Sequence, residues 1–416
     1  MSRRIPAFVA AVAITATAGL AANADASTSH RSHDGVARRA GSVGLFGADG
    51  GFFQAVKGVS GRKAHKIAFF DVSGSRATAT AVNPVGGDDG LLCDTGENVV
   101  PVRTIRTGIQ LSPDIDASPY DDEGGDGFHF ACSGVAVHGR FALATGDSQG
   151  LLQLRRRHGT WKIDRRVQSP GLDDAGDPHE PGWINFRTSV TPATTFDNVA
   201  IAPKPMPDGR YLALAVDHTN RTLAVVSGVG SAEPTLVGAL RAGALRNGAL
   251  DQGTGGVVFL PGSSDRALIA TMTGFAVLRL RDPAEPRLKV RTKVGDGSHP
   301  PSSITVTSDA DHVAVAAGSH VFGSRNVRAA VLHGKKFRKQ TSFRLSSAGT
   351  ETVSDVAYTA NGTLVVLHGD SASIPGWFLT LVKKVPRGHH AVRGSTSTTA
   401  PSDPGSLSVW PAPSSP

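Results

Sequence analysis

Residues 196–241 read FDNVAIAPKPMPDGRYLALAVDHTNRTLAVVSGVGSAEPTLVGALR. Val199 to Ala202 is a short apolar strand, and Pro207-Asp208-Gly209 follows as a turn. Proline presets φ there, and glycine accepts positive φ at no steric cost. Tyr211 to Val216 is a second apolar run, ended by Asp217, His218, Thr219 and Asn220. Leu223 to Val226 and Thr235 to Leu240 complete the unit. No run reaches helical length and each is bounded by turn formers, so the pattern predicts strands. Four antiparallel strands in about 45 residues make one blade of a β-propeller.

The same plan recurs on both sides. One block holds Gly134 to Val137, Phe141 to Ala144, Leu151 to Leu154 and Trp161 to Val167. Others run from Val257 to Val294, from Ile304 to Phe343, and from Val356 to Val382, the last with no evident fourth strand. First strands begin near Val135, Val199, Val257, Ile304 and Val356, about 64, 58, 47 and 52 residues apart. A unit near 45 residues with insertions of different sizes accounts for those spacings. An N-terminal block from Gly51 to Val82 and one obscured around 84–131 bring the total to seven blades, with six as the alternative. The missing last strand suggests that the N-terminus supplies it and closes the ring, which removes the open sheet edges.

Blocks such as NVAIAPKPMPDGRYLALA resemble the YVTN and lactonase-like propellers of secreted bacterial proteins. The resemblance is one of pattern over most of residues 40–385. The YVTN tetrapeptide itself is absent, and the corresponding strands read RYLALAVDHTN, RALIATMT and HVAVAAGS. It implies the fold, and only loosely a lactonase-like hydrolase, because no catalytic motif carries over residue by residue.

Export is written in the first residues. Arg3 and Arg4 precede an apolar run from Ile5 to Ala22, and Ala22-Asn23-Ala24 and Ala24-Asp25-Ala26 fit the small-x-small cleavage rule. Residues 1–26 are therefore expected to be a secretory signal peptide, and 27–39 a flexible polar segment. The expected product is secreted, monomeric and without a membrane span. The formal charge of the whole chain is +8, and cleavage lowers it by one. Such a basic surface serves solubility, or draws the protein to cell-wall polymers, glycans or anionic surfaces. Two cysteines, Cys93 and Cys132, suit an oxidising compartment. A disulfide between them closes a loop of about 40 residues and contributes on the order of 3–4 kcal/mol by loop entropy. Beyond 385, residues 386–416 are rich in Pro, Ser and Thr and are expected to be a disordered tail.

In a blade the turn between the second and third strands and the link to the next blade share one edge. That edge collects Asp147, Asp217, His218, His320, His368 and Asp370 from turns, and Asp197, Asp251, His299 and Asp355 from links. The opposite edge collects Arg155, Arg156, Arg157 and His158, and His333, Lys335 and Lys336. The expectation is an acidic mouth and a basic back. Carboxylates and imidazoles converging on a channel hold a divalent cation or exchange protons with a polar substrate. The plain alternative is that Asp, Asn and His are simply turn residues.

Two acidic, glycine-rich insertions, 84–131 and 169–184, fall on the mouth edge. In the first, Asp114, Asp116, Asp121, Asp122, Glu123 and Asp126 offer oxygen ligands for calcium or another divalent cation, or form a solvated loop. They miss the EF-hand template, since Pro119 and Gly125 stand where it needs Gly and Glu. The second, with Asp173, Asp174, Asp177, His179 and Glu180, has the same ambiguity; Pro-Gly-Trp after His179-Glu180 rules out an HExxH zinc helix. Gly146-Asp147-Ser148-Gln149-Gly150 matches GxSxG, but both flanks read as strands where a nucleophile elbow needs a helix after it, so it is a hairpin turn. RRRHGTWKIDRR has one aromatic and no stacking platform, so it reads as a solvated hairpin and no nucleic-acid partner is expected. Two functions follow: an extracellular binding module for a partner protein, glycan or small ligand, or a metal-assisted hydrolase at the mouth.

Overall fold

The computed structural model describes residues 43–48, 52–57, 65–71, 77–85, 89–94, 98–105, 108–115, 132–146, 150–167, 198–217, 222–241, 256–271, 274–293, 301–317, 320–325, 341–344, 351–359, 362–370, 377–383, 391–397 and 406–410. The expected signal peptide, the segment 27–39 and the insertion 169–184 lie outside them, as does 116–131 of the first insertion.

The described residues form seven four-stranded antiparallel sheets. The first contains β1 (Val43–Ala48), β2 (Phe52–Lys57) and β3 (His65–Asp71). The second contains β4 (Ala77–Val82), β5 (Asp89–Asp94), β6 (Val99–Ile105) and β7 (Gly108–Leu111). In the third are β8 (Cys132–His138), β9 (Phe141–Gly146), β10 (Gly150–Arg157) and β11 (Thr160–Arg166). The fourth is the diagnostic stretch: β12 (Asn198–Ile201), β13 (Tyr211–Asp217), β14 (Thr222–Val229) and β15 (Thr235–Arg241). The fifth comprises β16 (Val257–Phe259), β17 (Arg266–Thr271), β18 (Gly274–Arg279) and β19 (Arg287–Lys293). The sixth comprises β20 (Pro301–Val306), β21 (His312–Ala317), β22 (His320–Arg325) and β23 (Thr341–Arg344). The last has β24 (Glu351–Tyr358), β25 (Leu364–Asp370), β26 (Trp377–Lys383) and β27 (Ala391–Ser397). A final strand, β28 (Ser406–Trp410), returns to the first sheet and pairs with β1.

First strands stand side by side around a circle: β4 by β8, then β12, β16, β20 and β24. β28 lies beside both β24 and β4 and closes the circle. This is a β-propeller.

Alternation explains why the strands read as continuous apolar runs. Leu212, Leu214 and Val216 of β13 face the core shared with the fifth sheet, while Ala213 and Ala215 face the core shared with the third. Leu223 and Val225 of β14 follow the first group, and Ala224 and Val226 the second. Both faces of these two central strands are dry, so no polar residue interrupts either register from Leu212 to Val216 or from Leu223 to Val226. Burying each large aliphatic side chain this way stabilises the fold by about 1.5–3 kcal/mol.

The turns after the first strands repeat one device. Gly209 N–H donates to the Met206 carbonyl, Ala310 N–H to Thr307, and Gly362 N–H to Thr359, at 2.8–2.9 Å. The last residue of each turn has positive φ: 83° at Gly209, 78° at Gly362 and 56° at Ala310. Asp208 and Asp309 reinforce their turns by accepting from the backbone N–H two residues on. The β10–β11 hairpin has a two-residue loop, His158-Gly159, with φ of 50° and 82°. Positive φ at both positions is the type I′ pattern that Asn-Gly fills best.

Three expectations are corrected. Residues 386–416 were expected to be a disordered tail, but they contain β27 and β28. Backbone pairing holds these two strands in their sheets, and in β28 Leu407 and Val409 are buried. Ring closure also runs the other way. The last sheet takes its fourth strand from β27, and the C-terminal β28 enters the N-terminal sheet beside β1. Finally, the segment 84–131 is not an insertion throughout: β5, β6 and β7 within it are ordinary sheet strands, and Leu91, Leu92 and Cys93 are fully buried.

Cys93 of β5 is joined to Cys132 of β8 by a disulfide that links neighbouring sheets across 39 residues. Replacing both cysteines by Ala is expected to lower unfolding free energy by about 3 kcal/mol; a denaturant midpoint unchanged from that of the oxidised wild type would sink this account. His158→Asn should raise stability by up to about 1 kcal/mol, because Asn adopts positive φ more readily than His. A lowered melting midpoint would show that the exposed imidazole contributes more than its backbone strain costs.

Candidate functional site

The registers sort residues onto edges. Asp217 ends β13 opposite Thr222, which begins β14. His320 begins β22 opposite Ala317, the end of β21. Asp370 ends β25 opposite Glu351, the first residue of β24. All three positions lie at the edge where the first strands begin. Glu351 belongs to that edge too and was not singled out, because one acid in an apolar-polar alternation gives no signal of its own. Asp147, Asp197, His218, Asp251 and His299 lie outside the described residues.

Two expected mouth residues sit elsewhere. Asp355 is four residues inside β24, not in a link. Ser354 is bulged out of the β24–β25 ladder, and Asp355 pairs with Leu367. A bulge re-aims the side chains beside it. The Asp355 carboxyl points at neighbouring sheets: Oδ1 accepts from the Ser303 hydroxyl of β20 at 2.5 Å and from Val356 N–H at 2.7 Å, and Oδ2 accepts from Leu407 N–H of β28 at 2.5 Å. Burial raises its pKa to about 6, although all three donors favour the ionised form. His368 of β25 is 4 % exposed, and burial pushes its imidazole down to about 4. Neither group is a surface turn residue.

The three arginines of the basic edge are each engaged by a carboxylate. Arg155 Nε and Arg157 Nη2 lie 3.1 and 3.0 Å from opposite oxygens of Asp164, and Arg156 Nη1 lies 3.0 Å from Asp89 Oδ2 of the second sheet. Asp164 is the extra residue of a bulge in β11, which brings its carboxylate under the hairpin. Arg155 Nη2 also donates to the Gly230 carbonyl in the β14–β15 turn at 2.9 Å. Gln153, fully buried, accepts from Gly230 N–H at 2.7 Å and donates to the Ser231 carbonyl at 3.0 Å. Gly230, with φ of 85°, rests on Phe141, where a Cβ would come within 2.7 Å of the ring. The arginine run therefore ties the third sheet to both neighbours. His333, Lys335 and Lys336 lie outside the described residues.

Of the acidic run, Asp114 is described and exposed; Asp116, Asp121, Asp122, Glu123 and Asp126 lie outside the described residues. Asp114 follows β7 where the chain re-pairs with β6 through Ile115 N–H and the Val99 carbonyl. It borders a groove of about 480 Å³ lined also by Pro101, Pro113, Trp161, Lys162 and Ile163. Among the described residues no group of three or more His, Cys, Asp or Glu side chains is placed to hold a metal ion. Nor is any helix there long and apolar enough to cross a membrane.

No family model matches the sequence, and no curated protein matches it. Solved structures resemble it in fold. Sqt1 of Saccharomyces cerevisiae aligns with a TM-score of 0.55 at 9 % identity, over 86 % of this chain and 83 % of that one. The β-propeller domain of Cps50 (Swd1) from Myceliophteria thermophila aligns at 0.52 and 13 %, over 80 % and 90 %. A protein from Lactobacillus plantarum aligns at 0.55 and 10 %, over 88 % and 99 %. At these identities the likeness concerns the fold alone.

The His368 shift has a sign. Its imidazole binds a proton less readily folded than unfolded, so stability is present above pH 6.5 and is lost as pH falls toward about 4. Asp355 works in the opposite sense between about pH 4 and 6, so the difference between variant and wild type is the useful quantity. His368→Gln should remove an acid-dependent loss on the order of 3 kcal/mol between pH 6.5 and 4. Parallel stability–pH curves for the two proteins would refute the assignment.

Proposed function

We propose that this chain is a secreted, YVTN-like recognition propeller that holds its ligand at the edge carrying Asp217, His320, Glu351 and Asp370. One contrast carries the reading. The arginines of the opposite edge are engaged with Asp164, Asp89 and neighbouring turns, whereas the strand registers bring acidic and imidazole positions from three different sheets to this one. Asp147, Asp197, His218, Asp251 and His299, outside the described residues, are expected at the same edge from their place in the sequence. Such an edge suits a partner protein with basic groups, a polyhydroxylated glycan, or a small cationic ligand, with charge setting encounter rate and orientation. The reading includes export, which rests on the basic, apolar and small-residue sequence of residues 1–26.

The chain from residue 27 should be tested against a glycan panel, insoluble cell-wall polymer and basic peptides. Binding that weakens with salt, falls at least tenfold in Asp147→Asn/Asp217→Asn/Asp370→Asn and persists in Arg157→Ala is the expected result. Binding indifferent to the triple substitution would refute the mouth. Turnover of lactone or ester substrates that needs added calcium and is abolished by the same substitutions would replace recognition with hydrolysis.

A further inference from the structure

The ring has one seam, where β28, brought from the far end of the chain, stands between β24 and β4. β28 and β24 belong to different sheets, so no backbone ladder joins them. Asp355 makes the polar contact instead, with one oxygen on Leu407 N–H and the other on the Ser303 hydroxyl of β20. A single carboxyl thus spans three consecutive first strands.

The surroundings of that carboxyl are poor in charge. Its nearest partners β20 (PSSITV) and β28 (SLSVW) carry no ionisable side chain, and neither do β1 (VGLFGA) and β4 (ATATAV) around β28. The other strands packed on β24 carry His312 on β21, His320 and Arg325 on β22, and His368 and Asp370 on β25; β24 itself adds Glu351 and Tyr358. His312 and Arg325 face each other at the opposite edge, with Tyr358 at that end of β24. His368 is neutral above about pH 4. Glu351 and Asp370 are acids and can only oppose a second negative charge.

We propose that Asp355 is a proton-controlled latch on the closing strand: protonated, it holds β28 in the seam, and ionised, it lets β28 open. When β28 is in place the carboxyl is desolvated, and when β28 leaves it regains water. The neutral acid keeps its bonds, because its carbonyl oxygen still accepts from Leu407 N–H and the Ser303 hydroxyl turns to accept the acid proton. The anion keeps three donors but loses hydration, and desolvation outweighs those donors with no charged partner contributing among the described residues. The raised pKa agrees in direction. A raised folded pKa gives stability present below the unfolded value and lost as pH rises through about 6, so the seam is firmest in mild acid.

Amide hydrogen exchange on the whole chain tests this. Protection at Leu407 and Val409, corrected for intrinsic rates and referred to Leu214 and Val225 in the fourth sheet, should fall about a hundredfold between pH 4 and 7. Asp355→Asn should flatten that profile, and if this variant does not fold the wild-type profile decides alone. Protection at Leu407 that is constant or rises with pH would overturn the proposal, since the three donors would then outweigh desolvation. A fall shared equally by all four amides would overturn it too, because opening would be global and not confined to the seam.

Discussion

The closed ring depends on bonding sheets that share no ladder, and side chains imitating peptide groups do that. Within a sheet the ladders pair backbone N–H groups with carbonyls. Between sheets the strands stand at an angle and backbone ladders stop. Asp355 reaches across the seam to an amide of β28 and a hydroxyl of β20. Asn83 works similarly between the second and third sheets: its amide donates to the Gly139 carbonyl at 2.7 Å and accepts from Gly139 N–H at 2.9 Å. Gln153 repeats the move against Gly230 and Ser231 between the third and fourth. Asn83 and Gln153 are buried, so losing their partners would leave a desolvated donor or acceptor at a cost of about 1–3 kcal/mol. That cost is what makes one arrangement of neighbouring sheets preferable to another, which apolar contact alone does poorly.

Apolar contact sets how closely the sheets approach. Small residues crowd certain faces: Ala213, Ala215 and Ala224 meet Leu143 and Leu151 of the preceding sheet. Gly238 of β15 lies under Pro283 and Ala284 of the next sheet's last turn, where a Cβ would come within 3.0 Å of an Ala284 backbone atom. Gly230 lies on Phe141 in the same way. In each case the turn between the third and fourth strands of one sheet leans on the sheet before it. The glycines and alanines that make the sequence look bland are the places where one sheet seats on another.

This explains what could be read beforehand. In the diagnostic stretch, runs expected at Tyr211 to Val216 and Thr235 to Leu240 became Tyr211–Asp217 and Thr235–Arg241, because local alternation and turn residues govern those bounds. Strands β27 (AVRGSTS) and β28 (SLSVW) were not legible. Their order derives from partners, and for β28 the partner β1 lies more than 350 residues away in sequence. Strand β5 (DGLLCD) was hidden by its acidic, glycine-containing neighbours, which look like loop. Asp355 was misplaced for another reason: its letter suits a turn, and only the bulge at Ser354 and the proximity of β28 show what it bonds. The basic hairpin was correctly placed on an edge, but the carboxylates that engage it are a bulge residue and an acid from another sheet. Pairings of that range leave no periodicity to read.

The proposed mouth and the seam are coupled by geometry. Asp370 and Glu351 sit on the sheet that carries Asp355, and His320 on the sheet that carries Ser303. A ligand spanning those two sheets contacts an arrangement that Asp355 itself helps to hold. Such a ligand binds the closed ring better than the open one, and by linkage it lowers the frequency of β28 opening by the same factor that opening lowers its affinity. The coupling cannot exceed the difference in affinity between the two states. A small ligand held by one turn would therefore leave the seam unaffected, while one that bridges sheets would sense the protonation of a carboxyl it never touches.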